Sequence, residues 1–204
     1  NEIPPLIVRW YGRKRIEAFL RSLHQVSKES SPNTLVTYVN HPPTEYLDLS
    51  FLDVVSYNIY LEREVEFRAY MDRLQTQAND RPLFLAEVGL DSQSNGEAAQ
   101  AKFLDWQLRA AFEKGLCGAA VYSWTDEWQI FGSAIEGWSF GLTSSDRRPK
   151  PALSVVREVY HCGHNTLRKD PKPMVSVVVC AHNAIATIRE CLNSLTRLNY
   201  PNYE

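Results

Sequence analysis

No run of about 18 consecutive apolar residues occurs in the chain, which excludes a membrane-spanning helix in this stretch. Charge of one sign is not in excess: 22 Lys and Arg stand against 24 Asp and Glu, for a formal net charge of −2. That balance points away from nucleic acid and anionic membranes as partners. The four cysteines, Cys117, Cys162, Cys180 and Cys191, show no CxxC spacing. Cys117, Cys180 and Cys191 lie in apolar or helical contexts, where buried free thiols belong, and a reducing compartment is expected. His161-Cys162-Gly163-His164 has too few ligands nearby for a structural zinc site, so no metal is expected there. Neither a signal peptide nor an initiator Met opens the sequence, and residues 199–204 stop in mid-pattern. Both ends are therefore expected to be internal to a longer protein.

What is present is the composition of a soluble globular protein. The chain has 204 residues, 44% of them hydrophobic and 23% charged, which is enough for one domain or two small ones. Aromatics make up 11%, with five Trp and ten Tyr, suited to core packing first and to sugar-stacking platforms second.

Hydrophobic periodicity orders the chain. Residues 12–28 carry Ile16, Phe19, Leu20, Leu23 and Val26 at helical spacing. Residues 34–39 and 53–58 are short β-branched runs, expected as buried strands. Residues 64–78 predict a helix, 82–87 a third strand and 97–114 the longest helix, stopped by Gly115. Residues 118–124 predict a fourth, buried strand. A long loop follows with Trp128, Phe131, Trp138 and Phe140, and 151–160 predict a last helix. Strands alternating with helices imply right-handed βαβ units and a parallel sheet. Residues 163–173 are polar with two prolines and are expected to be a linker. After it, 175–180 predict a strong strand and 184–198 a helix.

Two Glu residues fall where strands are expected to end. Asn1-Glu2 opens the chain, and Leu85-Ala86-Glu87-Val88-Gly89 closes the third strand. Between them runs Asp53-Val54-Val55-Ser56-Tyr57-Asn58-Ile59-Tyr60, and Trp124 follows the fourth strand. This ordered set resembles the retaining β-glycosidases of clan A, built on a (β/α)8 barrel. Within them it is most similar to family 2, the β-galactosidase and β-glucuronidase group. The resemblance covers residues 1–160 and implies the second half of a (β/α)8 barrel. It implies that Glu2 is the general acid and then base, and that Glu87 is the nucleophile, about 5–5.5 Å apart in a retaining enzyme. It also implies substrate contacts from Asn1, His41, Asn58, Tyr60 and Trp124, with Tyr60 or Tyr57 hydrogen-bonding the nucleophile. No cofactor is implied for the barrel.

The segment Pro173-Met174-Val175-Ser176-Val177-Val178-Val179-Cys180-Ala181-His182-Asn183 is similar to the opening of a family 2 glycosyltransferase. So are Cys191-Leu192-Asn193-Ser194-Leu195 and Tyr200-Pro201-Asn202-Tyr203-Glu204. The resemblance implies the first βα unit of a Rossmann-like (GT-A) domain, with Cys180, Ala181, His182 and Asn183 meeting the nucleotide of a nucleotide-sugar. It implies a divalent metal, Mg or Mn, whose ligands lie outside this chain.

The expected organisation is thus an α/β chain in three parts: a glycosidase-like half barrel (1–162), a linker (163–173) and the start of a glycosyltransferase (174–204). The expected partners are an oligo- or polysaccharide and a nucleotide-sugar. The expected location is cytoplasmic, at the inner face of a membrane where further segments attach it. A catalytically inactive glycan-binding or scaffolding barrel beside an active transferase is the alternative.

Overall fold

The structure, a computed structural model, describes residues 10–166 and 174–204. It divides into two compact units, Asn1–Leu167 and Arg168–Glu204. Asn1 and Glu2 lie outside the described residues. Among the described residues no helix is long and apolar enough to cross a membrane.

In the first unit, helix α1 (Arg13–Ser30) precedes strand β1 (Thr37–Asn40), and β2 (Val54–Asn58) follows after a short 3-10 turn. Helix α2 (Glu64–Ala78) leads to β3 (Leu83–Val88); α3 (Ser92–Asn95) and α4 (Glu97–Glu113) lead to β4 (Gly118–Val121). Two short strands, β5 (Gln129–Ile130) and β6 (Ser133–Ala134), make a hairpin before helix α5 (Pro151–Thr166). Strands β1 to β4 form one parallel sheet in chain order. Each strand lies beside its predecessor, as in a singly wound barrel wall, so every strand presents its C-terminal end to the same edge.

Helical spacing places the apolar residues of α2 and α4 on one face of the sheet. Phe67, Met71 and Leu74 of α2, Leu104 and Leu108 of α4, and Leu85 and Val88 of β3 are fully buried. Ala152, Val156 and Val159 of α5 complete this core. Helix α1 buries only Ile16 and Leu20, against Leu47. Phe19, Leu23 and Val26 stay exposed, because the loop after β1 is the cover that reaches this helix among the described residues.

Three expectations shift. Strand β4 ends at Val121 rather than 124 and is half-buried rather than buried, as an outer strand of the sheet must be. Helix α5 runs to Thr166, into the stretch expected to be linker. Cys117, Cys180 and Cys191 are exposed, not buried; Cys117 sits at the mouth of the outer strand β4, and the helix that carries Cys191 buries no residue.

The second unit shows less regular structure than its sequence predicts. Residues 175–180 do not form a continuous strand. Val175 makes a single parallel bridge to Tyr203, with Val175 N–H donating to Asn202 O at 3.0 Å and Val177 N–H to Glu204 O at 2.8 Å. Helix α6 (Ile188–Leu195) is shorter than expected and buries no residue.

Candidate active site

The C-terminal edge of the parallel sheet collects the residues picked out from sequence. Asn58 ends β2, Glu87 lies one residue before the end of β3, His41 follows β1 and Trp124 follows β4. Asn58 and Glu87 are register partners across the β2–β3 pair. Ile59 N–H donates to Glu87 O at 2.9 Å, which locks the two strand ends together.

Strict alternation along β3 would put Glu87 on the helix-facing side with Leu83 and Leu85. It does not lie there. The core face is taken by Leu83, Leu85 and then Val88, and the β3–β4 register shifts between Leu85 and Val88. An irregularity of this kind re-aims one side chain while keeping the strand in the sheet. The β2–β3 pair shows the same extra residue on β3, because Tyr57 and Asn58 are consecutive but pair with Leu85 and Glu87. Strand β2 itself keeps its alternation, with Val55, Tyr57 and Ile59 on the core side and Asn58 on the other. Alternation on β2 and the irregularity on β3 bring Asn58 and Glu87 into one cleft.

That cleft has a volume of about 740 Å³. Tyr60 Oη donates to Glu87 Oε2 at 2.8 Å. Tyr122, Trp128, Trp138 and Phe140 form its aromatic wall, and Glu62 and Asp91 join Glu87 as lining carboxylates. Burial, and then the Glu87 charge, push the Tyr122 hydroxyl upward, so it stays protonated beside the carboxylate. The aromatic rings meet edge to face: Tyr122 on Trp128 at 5.5 Å, Tyr122 on Phe140 at 5.7 Å and Tyr60 on Phe140 at 6.0 Å between centroids.

A buried polar knot holds this wall. Lys150 is almost fully buried, and its Nζ donates to Ser92 Oγ and Asp126 Oδ1, both at 2.8 Å. Asp126 Oδ1 also accepts Gly141 N–H at 2.9 Å. Gln100 Nε2 donates to Leu90 O at 3.0 Å and Phe140 O at 3.2 Å. Asp91 caps α3 through Ser94 N–H at 2.8 Å and accepts Ser139 N–H at 2.7 Å. Burial raises the Asp91 carboxyl, but the hydrogen bonds from Ser94, Ser139 and Gln93 outweigh it and hold the group below the ordinary range. The knot thus fixes the segment that delivers Trp138 and Phe140. Gly89 lets β3 approach it: a Cβ there would overlap Tyr122 O and press on Phe140.

The structure therefore brings Asn58, Tyr60 and Glu87 into one cleft. His41 and Trp124 share the sheet edge but do not line it. His41 is fixed by Thr44, whose Oγ1 lies 2.9 Å from His41 Nδ1. The Trp124 ring is exposed, while its carbonyl accepts Thr143 N–H at 3.0 Å. Tyr57 turns away from Glu87; its hydroxyl accepts from Asn40 Nδ2 at 3.3 Å, and burial with the Glu45 charge pushes it up to about 12. Sequence reasoning noted the aromatics of the long loop without assigning them to the site, and it missed Glu62, Asp91 and Tyr122. Three aromatics, Trp128, Trp138 and Phe140, within one loop were the available signal. Cys180, Ala181, His182 and Asn183 are exposed in the second unit, with Asn183 Nδ2 3.1 Å from His182 Nε2. Among the described residues no three His, Cys, Asp or Glu side chains converge as a metal site requires, so none is assigned to the cation implied for a transferase.

A parallel βα sheet with a carboxylate at a strand end, facing an aromatic-walled cleft, is the kind of place where parallel barrels and pockets hold ligands. No family model matches the chain, and no curated protein sequence matches it. Solved structures do. The glycoside hydrolase GH5_18 of Streptomyces cattleya in complex with GlcNAc is 19% identical with a TM-score of 0.63, over 81% of this chain and 46% of that one. A variant of the same enzyme, in complex with Manβ1-4GlcNAc, is 20% identical with a TM-score of 0.61, over 84% and 48%. A β-glucuronidase of Bacteroides uniformis is 18% identical with a TM-score of 0.57, over 82% and 23%. The chain thus spans less than half of each of these proteins. At such identities the likeness establishes fold: the chain shares part of the TIM-barrel fold of these glycoside hydrolases.

Proposed function

We propose that the first unit contributes half of the active site of a retaining β-glycosidase, with Glu87 as nucleophile. The observation that carries this reading is Glu87 at the strand end, hydrogen-bonded to Tyr60 inside the aromatic cleft. Glu87 attacks the anomeric carbon as the glycosidic C–O bond breaks. Glu2 gives its proton to the leaving oxygen. Water then attacks the glycosyl ester, yields its proton to Glu2 and releases Glu87. Tyr60 holds Oε2, which leaves attack to Oε1. Asn58, and Asn1 beside Glu2, bind sugar hydroxyls. His41 and Trp124 serve as outer contacts at the same sheet edge. The aromatic wall covers the apolar face of the sugar and lowers the local dielectric around the reacting charges.

The second unit is read, on its sequence pattern, as the opening of a nucleotide-sugar-dependent transferase, with residues 180–183 at the nucleotide. Joined to the glycosidase, it suggests synthesis and trimming, or transglycosylation, of one glycan. In the full-length protein Glu87→Gln abolishes hydrolysis of aryl β-glycosides while sugar binding persists. Unchanged hydrolysis contradicts Glu87 as nucleophile, and binding without any hydrolysis in the wild type makes the barrel a glycan-binding module instead. If polymer made from nucleotide-sugar is the same with and without Glu87→Gln, the coupling of the two activities is wrong.

A further inference from the structure

Strands β5 and β6 pair antiparallel, Gln129 with Ala134 and Ile130 with Ser133, and leave Phe131-Gly132 as a two-residue turn. Both turn residues have positive φ, 49° for Phe131 and 81° for Gly132. Such a turn matches the twist of a hairpin, and its first position suits Asn, Asp or Gly. A bulky residue in the left-handed region is an outlier that costs free energy. Phe131 is also fully exposed (104%). The position thus carries a backbone cost and an exposed aromatic ring at once, with no packing inside the unit to offset either. Costs retained this way concentrate at ligand contacts.

The hairpin lies between two residues of the cleft wall, Trp128 and Trp138. It springs from Trp128, which lines the cleft and packs its ring against Tyr122 at 5.5 Å and Trp138 at 5.9 Å. Ile135 N–H donates to Trp128 O at 3.0 Å and closes the hairpin base. Three residues of extended chain keep Phe131 within about 10 Å of Trp128. Phe131 is outside the lining of the Glu87 cleft, at a separation from Trp128 that one or two further sugar units would span. The strand residues Gln129, Ile130, Ser133 and Ala134 are uncharged. We propose that Phe131 is a binding platform for the neutral sugar units that extend out of the cleft, so that this site prefers β-linked oligosaccharides to single glycosides. This inference rests on the glycosidase reading of the cleft.

The test uses the full-length protein, with Phe131→Asn and Phe131→Trp. Probes are tetraoses of β-1,2-, β-1,3-, β-1,4- and β-1,6-linked glucose and of β-1,4-linked N-acetylglucosamine, beside the p-nitrophenyl monoglycosides. Phe131→Asn keeps or raises the melting temperature, because Asn accepts the turn geometry. It weakens binding of the preferred tetraose about five-fold, the scale of one lost aromatic contact, and leaves KM for the monoglycoside unchanged. Phe131→Trp restores tetraose affinity. If Glu87→Gln abolishes hydrolysis but Phe131→Asn leaves tetraose binding unaltered, the platform is wrong and the glycosidase reading stands. If no tetraose binds and Glu87→Gln changes nothing, both fail. Concentration-dependent self-association lost in Phe131→Asn also overturns the platform, making the tip a contact between copies of this chain.

Discussion

Phe67, Met71 and Leu74 of α2 lose all contact with solvent against β2, β3 and α4. Helix α6 of the second unit aligns Ile188, Cys191, Leu192 and Leu195 on one face and buries none of them. Both helices are amphipathic. The difference lies in what stands opposite: a four-stranded sheet in the first unit, a single bridge in the second. An apolar stripe is a demand for a partner, and it stabilises only where the partner is built.

The contrast predicts a graded set of mutational effects on unfolding free energy. Phe67→Ala empties a site packed against the Trp106 ring at 5.5 Å and costs about 3–5 kcal/mol. Asp126→Ala leaves the buried Lys150 ammonium without its carboxylate and costs about 3 kcal/mol. It also loosens Trp138 and Phe140, so sugar affinity falls with stability. In the chain of residues 1–204, Leu192→Ala in α6 shifts unfolding by less than about 0.5 kcal/mol. Denaturant melts of the three variants check the order; a large loss at Leu192 would break the comparison.

Alkali gives a finer probe of the same core. Tyr57 is raised in the folded state to about 12, chiefly by burial. A raised folded value means stability fully present below the ordinary tyrosine range near 10 and lost as pH climbs from there toward 12. Tyr57→Phe removes that component, so its melting temperature falls less steeply over this window than that of the wild type. Equal slopes would show that Tyr57 does not feel the burial ascribed to it.

The sheet and its helices were legible because their periodicity agrees with their environment. Helix 64–78 matches its expected bounds, and strands 54–58 and 83–88 lie within a residue of theirs. Glu87 and Tyr60 were legible through strand-end position and motif order. Lys150 was not, because a Lys between two prolines reads as solvated, and only the fold carries it to Asp126 and Ser92. Nor could alternation show that Glu87 faces the cleft, since its parity with Leu85 pointed to the core until the register shift reversed it. Residues 175–180 carry the same strand propensity, but among the described residues they pair only through the bridge between Val175 and Tyr203.

The claim that Glu87 is the nucleophile is tested most directly by trapping its ester. The full-length protein is incubated with a 2-deoxy-2-fluoro β-glycoside bearing a good leaving group, digested, and its peptides weighed by mass spectrometry. The account predicts one added fluoroglycosyl group on the peptide containing Glu87, and none after Glu87→Gln. An active enzyme labelled at another carboxylate would contradict it.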